Sequence, residues 1–508
     1  MESTPLKPLI FLLLTLLFHH LPPSSATTLP TEALPTKSGY LTVNSTTKSA
    51  IFYTFYEAQN PTNASLSETP LVIWLQGGPG CSSMTGNFYE LGPFRVTPSL
   101  THNVEHLVLE PNPGSWNRIF GLLFLDNPIG TGFSIASTPE EIPTDQQTVA
   151  KHLFIAIRKF IALDPVFKTR PVYITGESYA GKYVPAIGYY ILKRNPGLPV
   201  SERVNLLGLG IGNGLTDPAV QVSTHALHNY NLGLINEKQK IYMEKLQIEA
   251  VELVKSGNWS EATDARNQVL RFLQNVTGLA TLYDFRRQGP YRSDWVDEFL
   301  KDVEVKRALG VNESMVFEGC SDVVGAALHA DVMKSVRYMV EYVVKNTKVL
   351  LYQGQCDLRD GVVSVESWVR KMKWEGLQSD VVGAALHADV MKSVRYMVEY
   401  VVKNTKVLLY QGQGDLRDGV VSVESWVRKM KWEGLQRFLE AERSVWKVND
   451  VLAGYVQKSE NLTHVVVLGA GHFVPTGQAV NSQAMIEDWV LDRGLFANKR
   501  VQSSSPGH

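Results

Sequence analysis

The chain has 508 residues, with 49 Lys and Arg against 50 Asp and Glu, and 44% of its residues are hydrophobic. This composition excludes a largely disordered or collagen-like protein. A net charge of −1 gives no basic footprint for nucleic acid, so we expect no nucleic-acid partner. Three cysteines are too few for a disulfide-rich scaffold or for a four-cysteine zinc site.

The amino terminus has the layout of a secretory signal peptide, which we place at residues 1–26. Lys7 precedes the apolar run 9–18, and two prolines and the small residues 24–26 follow that run. The run is shorter than the roughly 20 apolar residues that a membrane-spanning helix needs, although a short membrane anchor is the alternative interpretation. We therefore expect residues 27–508 to form the mature protein, without a membrane partner.

Six N-x-S/T sequons without a central proline suggest N-linked glycosylation. They begin at Asn44, Asn63, Asn258, Asn275, Asn312 and Asn461. A single sequon arises easily by chance, whereas six behind a signal peptide predict an extracellular or vacuolar glycoprotein. In that oxidising compartment two of the three cysteines can pair, which leaves one over.

Residues 321–378 and 379–436 form a tandem repeat of 58 residues, and the only difference is Cys356 in the first copy against Gly414 in the second. Solenoids need three or more units, so two nearly identical ones indicate a recent duplication or a doubled exon in the gene model. Each copy contains a helical pattern, the strand KVLLY, a polar loop and a second helical pattern. Only one such strand can fill a given position in a sheet, so we expect the other copy to be extruded or to add an edge strand.

Strand-like runs rich in Val, Ile and Leu alternate with helical patterns along most of the chain. The runs are 71–76, 122–127, 172–177, 206–214, the two KVLLY segments and 464–471. This alternation predicts an α/β fold with a mostly parallel central sheet and helices on both faces. The polar, helix-prone stretch 217–309 breaks the rhythm, and we expect it to cap the carboxyl ends of the strands, where ligands bind in such sheets.

The segment VYITGESYAGKYVP at 172–185 carries the strongest chemical signal. An apolar strand runs into the small-residue turn 176–181 and then into a helix, which is the context of a nucleophile elbow. Such a turn exposes the hydroxyl of Ser178 to a carbonyl carbon and aims the amide of Tyr179 at the developing oxyanion. A serine that only caps the helix is the alternative interpretation.

A nucleophilic serine needs a base and an acid, which follow in the order Ser, Asp, His in α/β-hydrolases. His472 directly follows an apolar strand and a glycine-containing turn, so we predict that it is the base. Asp357 and Asp415 each follow a KVLLY strand, one in each copy, and either can be the acid. We favour Asp415, because it keeps the final strands adjacent in the chain, with Asp357 as the alternative. Asp360 and Asp418 are better suited to stabilising the turn that follows.

The glycine-rich loop 77–80 follows an early strand and is a candidate for the second oxyanion donor. Glycines have no Cβ atom and let the backbone approach a substrate closely. An ordinary tight turn is the alternative, and the presence of the Ser178 motif favours catalysis. The sequence shows no metal-ligand cluster, P-loop or dinucleotide fingerprint, so we expect no metal and no cofactor.

Five blocks of the sequence lie at 74–83, 112–134, 174–185, 208–218 and 466–478, the first reading WLQGGPGCSS and the third ITGESYAGKYVP. They resemble, in the same order, the signature blocks of the serine carboxypeptidases, and the chain as a whole is similar to the serine carboxypeptidase-like proteins of plants. The resemblance covers about residues 36–497. It implies an α/β-hydrolase fold with a helical insertion and the removal of carboxy-terminal residues from peptides at acidic pH.

The resemblance also assigns roles to the residues that match the motifs. Ser178 matches the nucleophile and His472 the base, and the amides of Gly78 and Tyr179 match the oxyanion hole. Cys81 matches a cysteine that forms a disulfide in the family.

A second set of matched residues binds the substrate's terminal carboxylate in the family. Glu177 matches the acid of this site and Trp74 lines it, whereas the family usually has Asn at the position of Gln76. The longer Gln keeps the amide donor and is expected to shift the clamp. Because two bare carboxylates repel each other, Glu177 can bind a carboxylate only when protonated. The resemblance therefore predicts that activity falls as the pH rises toward neutrality.

The resemblance pairs Cys81 with Cys320, which pins the start of the first copy near the active site. Cys356 is then the third cysteine. If Asp415 is the acid, we expect Cys356 to lie in an extruded loop.

Three functions remain open from the sequence. The first is a serine carboxypeptidase that forms an acyl-enzyme with peptides that have a free carboxy terminus. The second is an acyltransferase of the same family, in which an alcohol replaces water as the acceptor. The third is a catalytically impaired glycoprotein, because 58 extra residues would misplace the catalytic Asp.

Overall fold

The computed structural model describes most of the chain between residues 29 and 497. The described residues are 29–62, 65–101, 104–232, 234–235, 237–373, 402–403, 406–412, 427–441, 443–467 and 478–497. The predicted signal peptide lies outside them.

Thirteen strands lie in these described ranges. They are β1 (Lys37–Thr42), β2 (Ala50–Tyr56), β3 (Leu71–Leu75), β4 (Phe94–Thr101), β5 (Val104–Pro111), β6 (Gly121–Leu125), β7 (Val172–Glu177), β8 (Leu206–Gly212), β9 (Lys348–Tyr352), β10 (Val407–Gly412), β11 (Arg443–Val448), β12 (Val451–Ser459) and β13 (Leu462–Val467).

Seven strands form the main sheet, in the order β1-β2-β6-β3-β7-β8-β9. The five strands from β6 to β9 in this order run parallel, and β1 and β2 add two antiparallel strands at one edge. Every residue of β3 and β6 is buried, as expected for apolar runs covered on both faces. The predicted mostly parallel α/β sheet is confirmed.

The principal helices lie between and after these strands. They are α1 (Gln146–Ala162), α2 (Ala180–Arg194), α3 (Pro218–Val222), α4 (His225–Asn231), α5 (Glu237–Lys255), α6 (Trp259–Thr277), α7 (Asp294–Lys301), α8 (Val303–Ala308), α9 (Asp322–Ala327), α10 (Arg337–Val343), α11 (Val362–Val369), α12 (Leu435–Glu440) and α13 (Ala479–Leu491).

The main sheet is covered on both faces. Helices α1 and α2 bury apolar side chains such as Leu153 and Ile187 against one face. On the other face α13 and α7 contribute Met485 and Phe299 to a second apolar cluster. Five of the six residues of β7, which leads into the Ser178 turn, are therefore buried.

The stretch 217–309 forms helices α3 to α8, and the long pair α5 and α6 packs around an apolar cluster of its own. Met333 and Leu358 from the first copy of the repeat belong to the same cluster. The N–H of Leu358 also donates to the carbonyl oxygen of Leu282 over 2.9 Å. Arg266 of α6 lies 3.7 Å from Asp360, and both side chains are buried. The first copy is therefore joined to this helical segment by packing, a backbone hydrogen bond and an ion pair.

The two KVLLY strands lie at the edges of two different sheets. β9 of the first copy pairs with β8 and ends the main sheet, whereas β10 of the second copy begins a four-stranded sheet of order β10-β13-β12-β11. The expectation that Cys356 lies in an extruded loop is wrong, because its residue is only 3% exposed. Its carbonyl oxygen accepts a hydrogen bond from the N–H of Phe285 at 3.2 Å, since the loop after β9 packs under the helical segment.

Asp331 of the first copy anchors the helix that follows the Ser178 turn. Its Oδ2 accepts hydrogen bonds from the Tyr179 hydroxyl at 2.7 Å and from Gln146 Nε2 at 2.7 Å. Lys182 Nζ lies 2.6 Å from the same oxygen, and both side chains are buried. Burial lowers the pKa of Lys182 to about 8, while the negative charge of Asp331 opposes that shift.

Asp331→Ala should destabilise the protein by about 3 kcal/mol or more, because it leaves the Lys182 ammonium buried without its partner. The repeat supplies a control in Asp389→Ala, the same change in the same local sequence of the second copy, which should cost less than about 0.5 kcal/mol. Urea unfolding followed by tryptophan fluorescence measures both. Equal losses for the two variants would contradict the assignment of this anchor to the first copy.

Candidate active site

Ser178 sits on a backbone conformation that few residues adopt. Its φ is +59°, in the left-handed region that side chains other than glycine rarely occupy. Its N–H donates to the carbonyl oxygen of Gly212 at 3.0 Å, and its own carbonyl accepts from the N–H groups of Gly181 and Leu215, each at 2.9 Å. Three backbone bonds thus hold a strained turn between β7 and α2, which is the geometry of a nucleophile elbow.

The glycine-rich loop after β3 lies directly against this turn. A Cβ atom on Gly77 would be 2.6 Å from the amide nitrogen of Tyr179 and 2.7 Å from the carbonyl oxygen of Glu177, so only glycine fits there. Gly78 has a φ of +109°, which also requires glycine. The glycine-rich loop and Tyr179, which the sequence predicts to form the oxyanion hole together, are therefore in contact.

A chain of buried polar side chains leads from Trp74 to Glu177. Trp74 Nε1 donates to Gln76 Oε1 at 2.8 Å, which fixes the orientation of the Gln76 amide. Gln76 Nε2 then donates to Glu177 Oε1 at 2.8 Å and to Glu90 Oε1 at 3.3 Å. The longer Gln side chain thus reaches both carboxyl groups at once.

The two carboxyl groups share one low-dielectric site. Burial raises the pKa of Glu177 well above its usual value, and the neighbouring Glu90 raises it further. Burial also raises the pKa of Glu90, against hydrogen bonds from Glu177 and Gln76 that lower it. Because two adjacent buried carboxylates cannot both ionise at low cost, the pair retains a proton well above the pH at which an exposed Glu loses it.

Glu90 is a site residue that the sequence did not reveal. It belongs to the π-helical turn Gly86–Leu91, which has no motif that marks it as functional. A Cβ atom on Gly86, in the same turn, would lie 2.6 Å from Cδ1 of Trp74. Gly86 is the sequence feature that could have indicated this role. Because it has no side chain, the turn can approach Trp74, and this brings Glu90 to the site.

Asp357 lies five residues after β9 and is 1% exposed. Its Oδ2 accepts from Asn213 Nδ2 and from the N–H of Asp360, each at 3.0 Å, and its Oδ1 accepts from the N–H of Arg359 at 2.8 Å. Asn213 follows β8 and also accepts from the N–H of Gly354 at 3.0 Å. It therefore ties the loop after β9 to the strand beside the Ser178 turn.

His472, Asp415 and Asp418 lie outside the described residues, so their predicted roles remain predictions. Asp360 accepts from Gln221 Nε2 at 3.0 Å in addition to facing Arg266. It thus joins the loop after β9 to the helical segment.

A cavity of about 650 Å³ opens over the elbow. Ser178, Glu177 and Gln76 line it from the sheet, and Tyr283 and Tyr291 line it from the helical segment. The nucleophile candidate and the carboxyl pair therefore face one common space large enough for a small peptide end.

A second Ser, His and Asp contact exists on the surface, but it has none of these features. Ser260 Oγ lies 2.9 Å from His329 Nδ1, and His329 Nε2 lies 3.1 Å from Asp264 Oδ1. Asp264 is 63% exposed, and Ser260 lies in the first turn of a regular helix. We interpret this group as a clamp between α6 and the first copy.

The predicted disulfide between Cys81 and Cys320 is present. It joins the glycine-rich loop to the residue that precedes the first copy of the repeat. The N–H of Ser82 donates to the carbonyl oxygen of Gly319 at 2.7 Å, beside the disulfide. The glycine-rich loop and the first copy are thus fixed to each other covalently.

Comparison with known proteins agrees with this geometry. The family model described as serine carboxypeptidase matches residues 25–380 and 373–492. The chain belongs to the serine carboxypeptidase family. It is 52% identical over 477 residues to serine carboxypeptidase-like 50 of Arabidopsis thaliana, covering 94% of this chain and 92% of the relative.

More distant serine carboxypeptidases match as well. The probable serine carboxypeptidase CPVL of Homo sapiens is 32% identical over 470 residues, covering 90% of this chain and 83% of that protein. The fold matches that of Kex1(delta)p, a prohormone-processing carboxypeptidase from Saccharomyces cerevisiae, with a TM-score of 0.67 and 22% identity over 94% of this chain and 99% of that chain. The chain thus has the α/β-hydrolase fold and is a serine-type hydrolase by family.

The sequon asparagines differ in their surroundings. Asn258, Asn275 and Asn312 are exposed, and Asn44 is partly buried. Asn461 donates from Nδ2 to the carbonyl oxygen of Val402 at 2.9 Å. Asn63 lies outside the described residues. None of the helices in the described ranges combines the length and apolar character needed to cross a bilayer.

Proposed function

We propose that this protein removes carboxy-terminal amino acids from peptides through an acyl-enzyme on Ser178. The observation that carries the proposal is the contact between a strained serine elbow and a buried carboxyl pair within one cavity. An elbow alone suits any acyl transfer. A carboxyl pair that retains a proton beside the elbow suits a substrate whose reacting bond lies next to a free carboxylate.

The chemistry follows from the position of each group. His472 takes the proton of the Ser178 hydroxyl, and the oxygen attacks the last peptide carbonyl to form a tetrahedral oxyanion. The amides of Gly78 and Tyr179 stabilise that oxyanion. His472 then protonates the leaving amine, the terminal amino acid departs, and water attacks the ester to release the shortened peptide and restore the serine.

Glu177 and Gln76 select the substrate's end. Protonated Glu177 donates a hydrogen bond to the terminal carboxylate, and the Gln76 amide, held by Trp74, keeps Glu177 in place through its own N–H. An internal peptide bond has no carboxylate at this distance and leaves the Glu177 donor unmatched. Such a site distinguishes chain ends from chain interiors.

We propose that Asp357 is the acid of the triad, although the sequence alone favours Asp415 and leaves Asp357 as the alternative. Its carboxylate has three donors and is held by Asn213 at the end of the strand that borders the Ser178 strand. Asp415, which the sequence favours, lies outside the described residues. Asp357 can accept the imidazole N–H of His472 and keep its tautomer correct for catalysis.

Hydrolysis is tested with purified protein and N-blocked dipeptides at about pH 5, with amino-acid analysis of the products and Ser178→Ala as the control. The wild type should release the carboxy-terminal amino acid, and dipeptide amides should react far more slowly. Folded wild-type protein that releases no amino acid, or that cleaves amides equally well, would contradict the proposal.

The site should lose affinity as the pH rises. Burial raises the pKa of Glu177, so the proton is present below that raised pKa and is lost above it. Each pH unit above it should then raise KM about tenfold. Glu177→Gln keeps an N–H donor and cannot ionise, so its KM should be nearly flat from about pH 5 to about pH 8. Steady-state kinetics across this range measures both, and an unchanged slope in the variant would refute the role.

The two candidate acids can be separated by one matched pair. Asp357→Asn should lower kcat by about 100-fold or more, because the imidazole loses its orienting acceptor. Asp415→Asn, the same change at the corresponding position of the second copy, where Gly414 replaces Cys356 before the Asp, should lower it less than about threefold. The reverse pattern in single-turnover kinetics would assign the acid to Asp415.

We also propose that residues 1–26 are removed on entry to the secretory pathway and that the mature glycoprotein is extracellular or vacuolar. The exposed sequons at Asn258, Asn275 and Asn312 support glycosylation. Asn461 is disfavoured, because its Nδ2 already donates to Val402. Enzymatic removal of N-glycans from protein expressed in a eukaryotic host should lower its mass, and an unchanged mass would speak against this location.

A further inference from the structure

The two KVLLY strands have the same sequence but form their backbone hydrogen bonds along opposite edges. In β9 the carbonyl oxygen of Tyr352 accepts from the N–H of Asn213 at 2.9 Å, so Tyr352 faces β8. In β10 the N–H of Val407 donates to the carbonyl oxygen of Asn461 at 2.6 Å, so Val407 faces β13. Val407 corresponds to Val349 in the first copy, three residues before Tyr352. Backbone groups alternate in direction along a strand, so residues three apart face opposite edges.

The two strands also present the same side-chain face to the same core. Leu350 of β9 and its counterpart Leu408 of β10 both pack against the apolar cluster that contains Met485 of α13. At the start of the strands, burial lowers the pKa of Lys406, and the charge of its counterpart Lys348 lowers it further. Corresponding residues of the two strands thus share one apolar cluster, and the like charges of Lys348 and Lys406 repel.

The geometry points to one strand position between β8 and β13 that the two copies occupy in part: each copy makes the hydrogen bonds of one edge only. The first copy makes the hydrogen bonds toward β8, and the second copy makes the hydrogen bonds toward β13. One copy alone has both sets of donors and acceptors. We infer that a chain with one copy closes the two sheets into a single ten-stranded sheet of order β1-β2-β6-β3-β7-β8-β9-β13-β12-β11.

This division affects the active site proposed above, on which the catalytic part of the inference rests. His472 follows β13, and Asp357 follows β9. β13 pairs with β10 and β12 and so has no edge left for β9. Two strands, β9 and β10, stand where a one-copy chain has one, and neighbouring strands in a sheet lie about 4.8 Å apart. We infer that the second copy weakens the proposed contact between Asp357 and His472. Because a misplacement of about 1 Å can cost about 100-fold in rate, the second copy holds the enzyme below its full activity.

Removal of one copy tests the inference directly. Deletion of 379–436 and deletion of 321–378 give products that differ at a single position. The first product keeps Cys356 there, and the second keeps Gly414. The two deletions are thus controls for each other. Each should raise kcat/KM on blocked dipeptides about tenfold or more over the full chain. Each should also raise the melting temperature by about 5 °C, since a single strand then makes the hydrogen bonds toward both β8 and β13.

Proline substitutions test the strand edges without deleting anything. In the full chain Val349→Pro removes an N–H that points away from β8, and Val407→Pro removes the N–H that bonds to Asn461. Proline is tolerated only where the N–H faces out of the sheet. Val407→Pro should therefore lower the melting temperature by about 5 °C more than Val349→Pro. In the chain lacking 379–436, Val349→Pro should become as damaging as Val407→Pro is in the full chain.

The outcomes separate this inference from the proposed function. If no form releases amino acids, the hydrolytic function fails, while the melting temperatures still report on the sheet. Deletion variants that melt below the full chain, or that are less active than an active full chain, overturn the inference. So does equal damage from the two prolines in the full chain.

Discussion

The parallel ladder between β8 and β9 is the interaction on which the catalytic region depends. It fixes the first copy of the repeat against the strand next to the Ser178 turn, through bonds such as Asn213 N–H to Tyr352 oxygen. The same docking places Asp357 against Asn213, Asp331 under α2 and Leu358 in the core of the helical segment. The Ser178 turn, the loop that carries Asp357 and the helical segment would all lose their support if β9 left this position.

The chemical character of the site comes from its low dielectric. A pair of carboxyl groups in water would ionise and repel a third carboxylate, whereas burial keeps a proton on the Glu177 and Glu90 pair. The site can then bind an anion with acids. Gln76 contributes to both parts, because its amide satisfies the pair and remains fixed by Trp74. The proposed specificity for a chain end and the proposed dependence on pH therefore have the same physical origin.

Local features were predictable from the sequence, and long-range ones were not. Apolar residues before Ser178 predict a strand, and the small residues around it predict a sharp turn. The structure confirms the strand, and the positive φ of Ser178 confirms the turn. Glu90 escaped prediction because a π-helical turn carries no motif, and its role depends on a glycine contact with Trp74. The anchor at Asp331 joins segments about 150 residues apart and leaves no local pattern.

The repeat shows the limit of prediction most clearly. Two identical segments have identical propensities, so nothing local decides which one docks against β8. The expectation of an extruded first copy failed at Cys356, because contacts with the helical segment and the Cys81–Cys320 disulfide favour that copy. Chain adjacency is compatible with the pairing of β10 with β13, yet it says nothing about which copy pairs with β8.

Everything proposed for the site requires Ser178 to be an activated nucleophile. This can be measured by labelling the folded protein with a fluorophosphonate and mapping the adduct by peptide mass spectrometry. We expect one adduct, on Ser178, that is abolished by prior denaturation. An unlabelled Ser178, or an adduct on Ser260 beside His329 instead, would contradict it.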